Sequence, residues 1–192
     1  MRKPFMVEFT GTPEAGKTTA IGNVADLLSN KGYKVNILRE SAEKLPQEIP
    51  KGTFYANLWM HYQTQAGILK AQFFDTDIVL IDRGLVDSNF YGKKFLSENA
   101  CSKEEYAKFR NQFMDELFPD FLIALTVSAN VSINRRGGEG RLVNMNYLKK
   151  YNSQFYKYYD EIEIPKTLID TTDLNVTEMN NLIFSEIIKK LP

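Results

Sequence analysis

Eight residues near the amino terminus, Gly11-Thr12-Pro13-Glu14-Ala15-Gly16-Lys17-Thr18, match the spacing G-x-x-x-x-G-K-[ST] in full. Glycines at the two ends let the backbone curl until successive N–H groups point inward as an anion nest, at the positive end of the helix that follows. Lys17 is then placed to reach the β- and γ-phosphates of a nucleoside triphosphate, and the Thr18 hydroxyl to ligate Mg²⁺. The pattern assigns Gly11, Thr12, Pro13, Glu14, Ala15, Gly16, Lys17, Thr18 and the adjoining Thr19 to a nucleotide–metal pair, ATP with Mg²⁺. Adenine and guanine donors are not distinguished. A chance glycine-rich turn would lack the flanks seen here, an apolar strand before and an amphipathic helix after.

Other residues gain meaning from this loop. Ile78-Val79-Leu80-Ile81-Asp82 is four aliphatic residues ending in an acid, the form of a buried strand that carries a Mg²⁺-directed carboxylate. Glu40 closes a second short strand, and in a parallel sheet ligands gather at the carboxyl ends of strands. Its carboxylate there could accept a hydroxyl proton or hold a metal-bound water; as a solvated loop glutamate it would do neither. Asn134-Arg135-Arg136-Gly137-Gly138-Glu139-Gly140-Arg141 sets three arginines among three glycines, a segment able to close over transferring phosphates and exclude water.

The elements that must position these groups alternate along the chain. Strands are expected at Phe5–Thr10, Lys34–Leu38, Ile78–Ile81, Phe121–Val127 and Thr167–Ile169. Between them the spacing predicts helices from Lys17 to about Asn30, with the stripe Ile21, Val24, Ala25 and Leu28, and over Thr53–Phe74 and Leu85–Leu96. Ser102-Lys103-Glu104-Glu105 has the capping-box pattern and opens a helix with the stripe Tyr106, Phe109, Phe113, Met114 and Leu117. Two more run from about Asn146 to Glu161 and from Thr177 to Lys190, the last with Met179, Leu182, Ile183 and Ile187 inward. Right-handed crossovers then give one α/β domain over 1–192, a five-stranded parallel sheet with helices on both faces.

Composition bounds the partners. Lys plus Arg and Asp plus Glu number 24 each, so no bulk basic field invites a long nucleic acid. No apolar run approaches the roughly 20 residues of a membrane span, and the single cysteine, Cys101, suits a reducing cytoplasm. Cys101 reads as a packing or helix-start residue and the lone His61 as structural, since no second His or Cys offers a metal site. Glu8, inside the first strand, is expected to be buried and paired with an arginine.

Taken together these residues resemble the deoxynucleoside kinase and thymidylate kinase group of P-loop kinases. Beyond the phosphate loop, the resemblance rests on Arg39-Glu40, Asp82-Arg83, Trp59-Met60-His61-Tyr62-Gln63-Thr64, Phe118-Pro119-Asp120-Phe121-Leu122 and the arginine-rich segment followed by Tyr147-Leu148. It implies the three-layer P-loop NTPase fold with strand order 2-3-1-4-5 and a lid at about 134–145. It also implies transfer of a phosphoryl group from ATP to a nucleoside or nucleoside monophosphate. Glu40 would serve as base, Arg83 would bind the acceptor or a reacting phosphate, Gln63 would read the base, and Trp59 would wall the pocket. Arg135 and Arg141 would stabilise the transferring phosphoryl group and Arg136 hold the nucleotide. Related enzymes are often dimers, so a homodimer is expected. The sequence departs from the group at Ser41, where a proline usually follows the glutamate, and in a Trp59–Gln63 spacing one residue short. Two other classes stay open: a kinase of a polynucleotide end or another small alcohol, and a non-catalytic nucleotide switch.

Overall fold

The computed structural model describes residues 3–138, 140 and 143–192. Its strands are β1 (Phe5–Gly11), β2 (Val35–Leu38), β3 (Ile78–Asp82), β4 (Phe121–Thr126) and β5 (Lys166–Asp170). All pair in parallel in the order β2-β3-β1-β4-β5. The helices are α1 (Lys17–Asn30), α2 (Phe54–Ala71), α3 (Leu85–Ser97), α4 (Lys103–Arg110), α5 (Ala129–Arg136), α6 (Met145–Asp160) and α7 (Val176–Lys190). This is the three-layer P-loop NTPase arrangement.

The period-2 alternation of the strands divides the core. Val7, Phe9, Ile78, Leu80, Ile123 and Leu125 point to one face, where α1 and α7 pack with Ile21, Val24, Leu28, Met179, Ile183 and Ile187. Met6, Val79, Ile81, Leu122 and Ala124 point to the other, covered by α2, α3 and α6. Register then brings the chemistry together: Phe9 pairs with Asp82 and Gly11 with Leu125, so Asp82 and the phosphate loop share one edge of the sheet.

Three expectations are corrected. The capping box at Ser102 forms, but α4 ends at Arg110, so Phe113, Met114 and Leu117 do not continue its stripe. A 3-10 turn at Asp115–Leu117 carries Leu117 into the core and leaves Met114 exposed. Leu182 of α7 is exposed while Met179, Ile183 and Ile187 are buried. The third concerns Glu8.

Among the described residues Glu8 has no arginine partner. Lying between Met6 and Thr10, its side chain must point to the face that α3 covers. There it is fully buried and accepts the backbone N–H groups of Val86 at 3.1 Å and Asp87 at 2.8 Å, capping the amino terminus of α3 from outside the helix. Gly84 leaves room for it, because a Cβ there would lie 2.4 Å from Glu8 Oε2. Burial outweighs these bonds and raises the carboxyl to about 8, with Asp87 adding to the rise. Between its ordinary value and about 8 the unfolded chain has released this proton and the folded one keeps it, so stability falls as pH rises across that window. Glu8→Gln is expected to flatten this slope. Unfolding free energies from urea titrations at pH 5 and 8.5 should differ by on the order of 2 kcal/mol less in the variant than in the wild type. Parallel slopes would show that Glu8 is ionised throughout.

Candidate active site

The phosphate loop begins where β1 must clear β4. Gly11 has φ 133°, and a Cβ on it would lie 1.8 Å from the Leu125 carbonyl oxygen, so only glycine fits. Thr12 is fully buried and stitches the loop to β4: its N–H donates to Leu125 O at 2.9 Å, and its hydroxyl accepts from Val127 N at 3.0 Å. Glu14 (φ 60°) and Gly16 (φ 89°) turn the chain, and Gly16 enters α1 without any side-chain cap. The first amides of α1 are thus left for an external anion. Pro13 O accepts from Ser132 of α5, and Ala15 O accepts from Thr171 after β5, so neighbouring elements hold the loop in shape.

Lys17 is buried, its Nζ donating to Gly11 O at 3.2 Å and Thr12 O at 2.7 Å. Burial first, and Arg83 next, lower its pKa to about 7. Thr18 and Thr19 are exposed at the mouth of the loop. The Thr18 hydroxyl donates to Asp82 Oδ2 at 2.9 Å, while Asp82 Oδ1 is buried with no hydrogen-bond partner among the described residues. A hydroxyl beside an orphaned carboxylate oxygen is a donor set that fits Mg²⁺, the remaining ligands coming from phosphates and water. Among the described residues no group of three or more His, Cys, Asp or Glu could hold an ion without such help.

Beside the loop is a cavity of about 190 Å³ between α2, α3 and the segment after β2. Its walls include Glu40, Thr53, Asn57, Met60, Thr64, Arg83, Asp87, Tyr91 and Phe95. Arg83 is its central cation. Nε lies 3.3 Å from Glu40 Oε1, and Nη1 lies 3.3 Å from Asp87 Oδ2 and 3.4 Å from the Tyr91 hydroxyl. Burial works against its charge, but Asp87, Tyr91, Tyr151 and Glu40 outweigh it and keep the guanidinium firmly protonated. Glu40 is pushed above the ordinary carboxylate value, chiefly by desolvation, which Arg83 opposes and Asp87 and Asp82 reinforce. A larger cavity, about 780 Å³, opens at the opposite ends of β1 and β3 around Phe5, Asp77 and Ile78. It faces neither the loop nor the carboxyl ends of the strands, so size does not make it the reactive site.

The structure brings Lys17, Thr18, Asp82, Glu40 and Arg83 to one edge of the sheet. It does not bring Gln63 there: that side chain is exposed on α2, where Asn57, Met60 and Thr64 face the cavity instead. Trp59 is half-buried and not among the walls, Tyr62 is exposed, and Phe90 packs in the core against Tyr151 and Phe155. His61 is fully buried between Gln65 and Ser88, a structural residue. Ser41, in place of the usual proline, joins its hydroxyl to that of Thr64 at 3.1 Å and ties the segment after β2 to α2.

The arginine-rich segment also differs from a free loop. Arg135 and Arg136 sit in the last turn of α5, which ends at Gly137 in the left-handed region. Arg135 donates to Glu14 O at 3.1 Å and to the Thr171 hydroxyl and carbonyl at 3.0 and 2.6 Å. It thus latches α5 to the phosphate loop and to the turn after β5. Arg136 is exposed beside it, and Arg141 lies outside the described residues. Sequence reasoning missed Asp87, whose only signal was its place in the first turn of a helix that begins just after Arg83. It also missed Asn57, Met60 and Thr64, which share one helical face with Thr53.

No protein-family profile matches the sequence, and no curated protein matches it. Solved structures do. Deoxyadenosine kinase from M. mycoides with bound dCTP aligns with TM-score 0.70 and 23% identity, covering 96% of this chain and all of that one. The same enzyme with the products dCMP and a flexible dCDP aligns with TM-score 0.72 and 22% identity over the same shares. At that identity the likeness establishes the fold: this chain has the P-loop architecture that deoxyadenosine kinase has, over nearly its whole length.

Proposed function

We propose that the protein transfers the γ-phosphoryl group of ATP to a hydroxyl of a nucleoside. One observation carries this reading: a half-buried carboxylate, Glu40, raised above its ordinary pKa, lines a cavity beside the phosphate loop and stands against Arg83. A poised base at that point is useful for an alcohol, whose proton must leave, and superfluous for a phosphate oxygen already ionised at neutral pH.

In this reading the amides at the start of α1, from Gly16 to Thr19, and Lys17 hold the triphosphate within the Gly11–Thr18 loop, with Arg136 at its flank. Thr18 and Asp82 would hold Mg²⁺, which neutralises charge on the phosphates when bound. Glu40 takes the hydroxyl proton as the acceptor oxygen bonds to the γ-phosphorus and the bond to ADP breaks. Arg83 orients Glu40 and the acceptor's reacting end. The segment at about 134–145 serves as the lid of a single 1–192 domain, its start held to the phosphate loop by Arg135. The exposed Gln63 leaves base recognition to Asn57, Met60 and Thr64.

The test is incubation with γ-labelled ATP, Mg²⁺ and separate panels of deoxynucleosides, ribonucleosides, nucleoside monophosphates and a 5′-hydroxyl oligonucleotide. Label in a nucleoside is the expected result. Label in monophosphates alone, or only in the oligonucleotide, would replace the acceptor. ATP binding with no labelled product would point to a nucleotide switch.

A further inference from the structure

Among the described residues Arg83 is the only Lys or Arg side chain lining the acceptor cavity, and two carboxylates already engage it. Glu40 takes its Nε side and Asp87 its Nη1 side, each at 3.3 Å. Asp87 is no casual neighbour. It is 4% exposed, its Oδ1 accepts from the Thr10 hydroxyl of β1 at 2.7 Å, and its own N–H is held by Glu8. Strand β1 therefore fixes the carboxylate in place, and the carboxylate fixes the arginine. Lys17 on the phosphate loop is turned to the carbonyls of Gly11 and Thr12. The acceptor's reacting end thus meets two negative groups and one positive group that is already paired.

We propose that Asp87 is a selectivity and positioning residue that biases the cavity towards uncharged hydroxyl acceptors and against their phosphorylated forms, the monophosphate product included. The inference rests on reading this cavity as the acceptor site of a kinase acting on an alcohol. Occupying one edge of Arg83 denies a phosphate the bidentate grip that a free guanidinium offers. The second carboxylate adds repulsion at short range in a partly desolvated site. A neutral nucleoside feels neither effect, whereas a product monophosphate is driven out.

The experiment compares wild type with Asp87→Asn, measuring binding of deoxyadenosine and deoxyadenosine 5′-monophosphate by calorimetry at one pH and salt concentration. The amide that replaces the carboxylate can still accept from Thr10 but carries no charge. The monophosphate should bind on the order of tenfold tighter in the variant, with nucleoside affinity changed by less than about threefold. A second readout is the acid limb of kcat/KM. Glu40 faces Arg83, Asp87, Asp82 and Lys17, and loses one negative neighbour, so the limb should move to lower pH. Asp87→Ser, smaller and equally uncharged, repeats both measurements should the amide variant fold poorly. Unchanged monophosphate affinity, or equal weakening of both ligands with a fixed acid limb, would overturn the proposal and leave Asp87 purely structural. The ratio is read from binding, so a wild type that binds both ligands without turnover counts against the kinase reading alone.

Discussion

Replacing Glu40 by Gln is expected to slow phosphoryl transfer to a nucleoside by about 10²- to 10⁴-fold, the usual contribution of a positioned general base. Gln keeps the length of the side chain and a carbonyl oxygen that can accept from Arg83 Nε, so the Arg83–Asp87 pair should persist and ATP affinity should move little. What disappears is the group that takes the proton. Because desolvation raises Glu40 above its ordinary value, the wild-type kcat/KM should fall as pH drops through that raised pKa. The variant should lose this acid limb. Single-turnover rates with labelled ATP across a pH series measure both effects. A monophosphate acceptor needs no base and would lose less than about tenfold, so a mild loss with nucleosides would remove Glu40 from the chemistry.

Lys17→Met is expected to separate stability from activity. Lys17 is buried, and desolvation lowers it to about 7. At and below pH 7 the folded state therefore carries the full cost of burying the ammonium, and between about 7 and its ordinary value stability rises with pH. Met fills similar space without that cost, although Gly11 O and Thr12 O lose their donor. The balance should stabilise the protein by about 1 kcal/mol at neutral pH, a rise of roughly 2–4 °C in Tm for a chain of this size. Turnover should fall by on the order of 10²- to 10³-fold, the effect of removing one preorganised charge from a transition state. Phosphates restore the reason for Lys17 to be charged, so ATP binding to the wild type above neutral pH should take up a proton. Calorimetry in buffers of different ionisation enthalpy reads that uptake, and the Met variant should lack it. A less stable Met variant would mean the two carbonyl bonds outweigh the desolvation.

The contrast between Glu40 and Gln63 shows how far residue patterns reach. Glu40 was legible because its place depends on two short-range facts, a strand that ends and a parallel sheet that collects such ends at one edge. Gln63 depends on helical phase. One residue along α2 rotates a side chain by about 100°, so a motif off by one position faces water while Asn57, Met60 and Thr64 face the cavity. The helix that carries the start of the arginine-rich segment was hidden for a different reason. Ala129-Asn130-Val131-Ser132-Ile133-Asn134 has weak helix propensity, yet it is helical because Ser128 caps it and Ala129 and Ile133 pack with Leu148 of α6.

The phosphate loop and the parallel strands can be read from residues alone, since each follows from local spacing or from apolar runs that a sheet covered on both faces buries. The order of those strands came from the likeness to P-loop kinases, not from any pattern within a strand. Three contacts needed the folded chain: Glu8 caps α3 rather than pairing with an arginine, Arg135 latches α5 to the loop, and Asp87 shares Arg83 with Glu40. They join residues on different elements, or set charges against one another in a buried space. Their partners depend on strand register and helix rotation, which no single segment of the chain encodes.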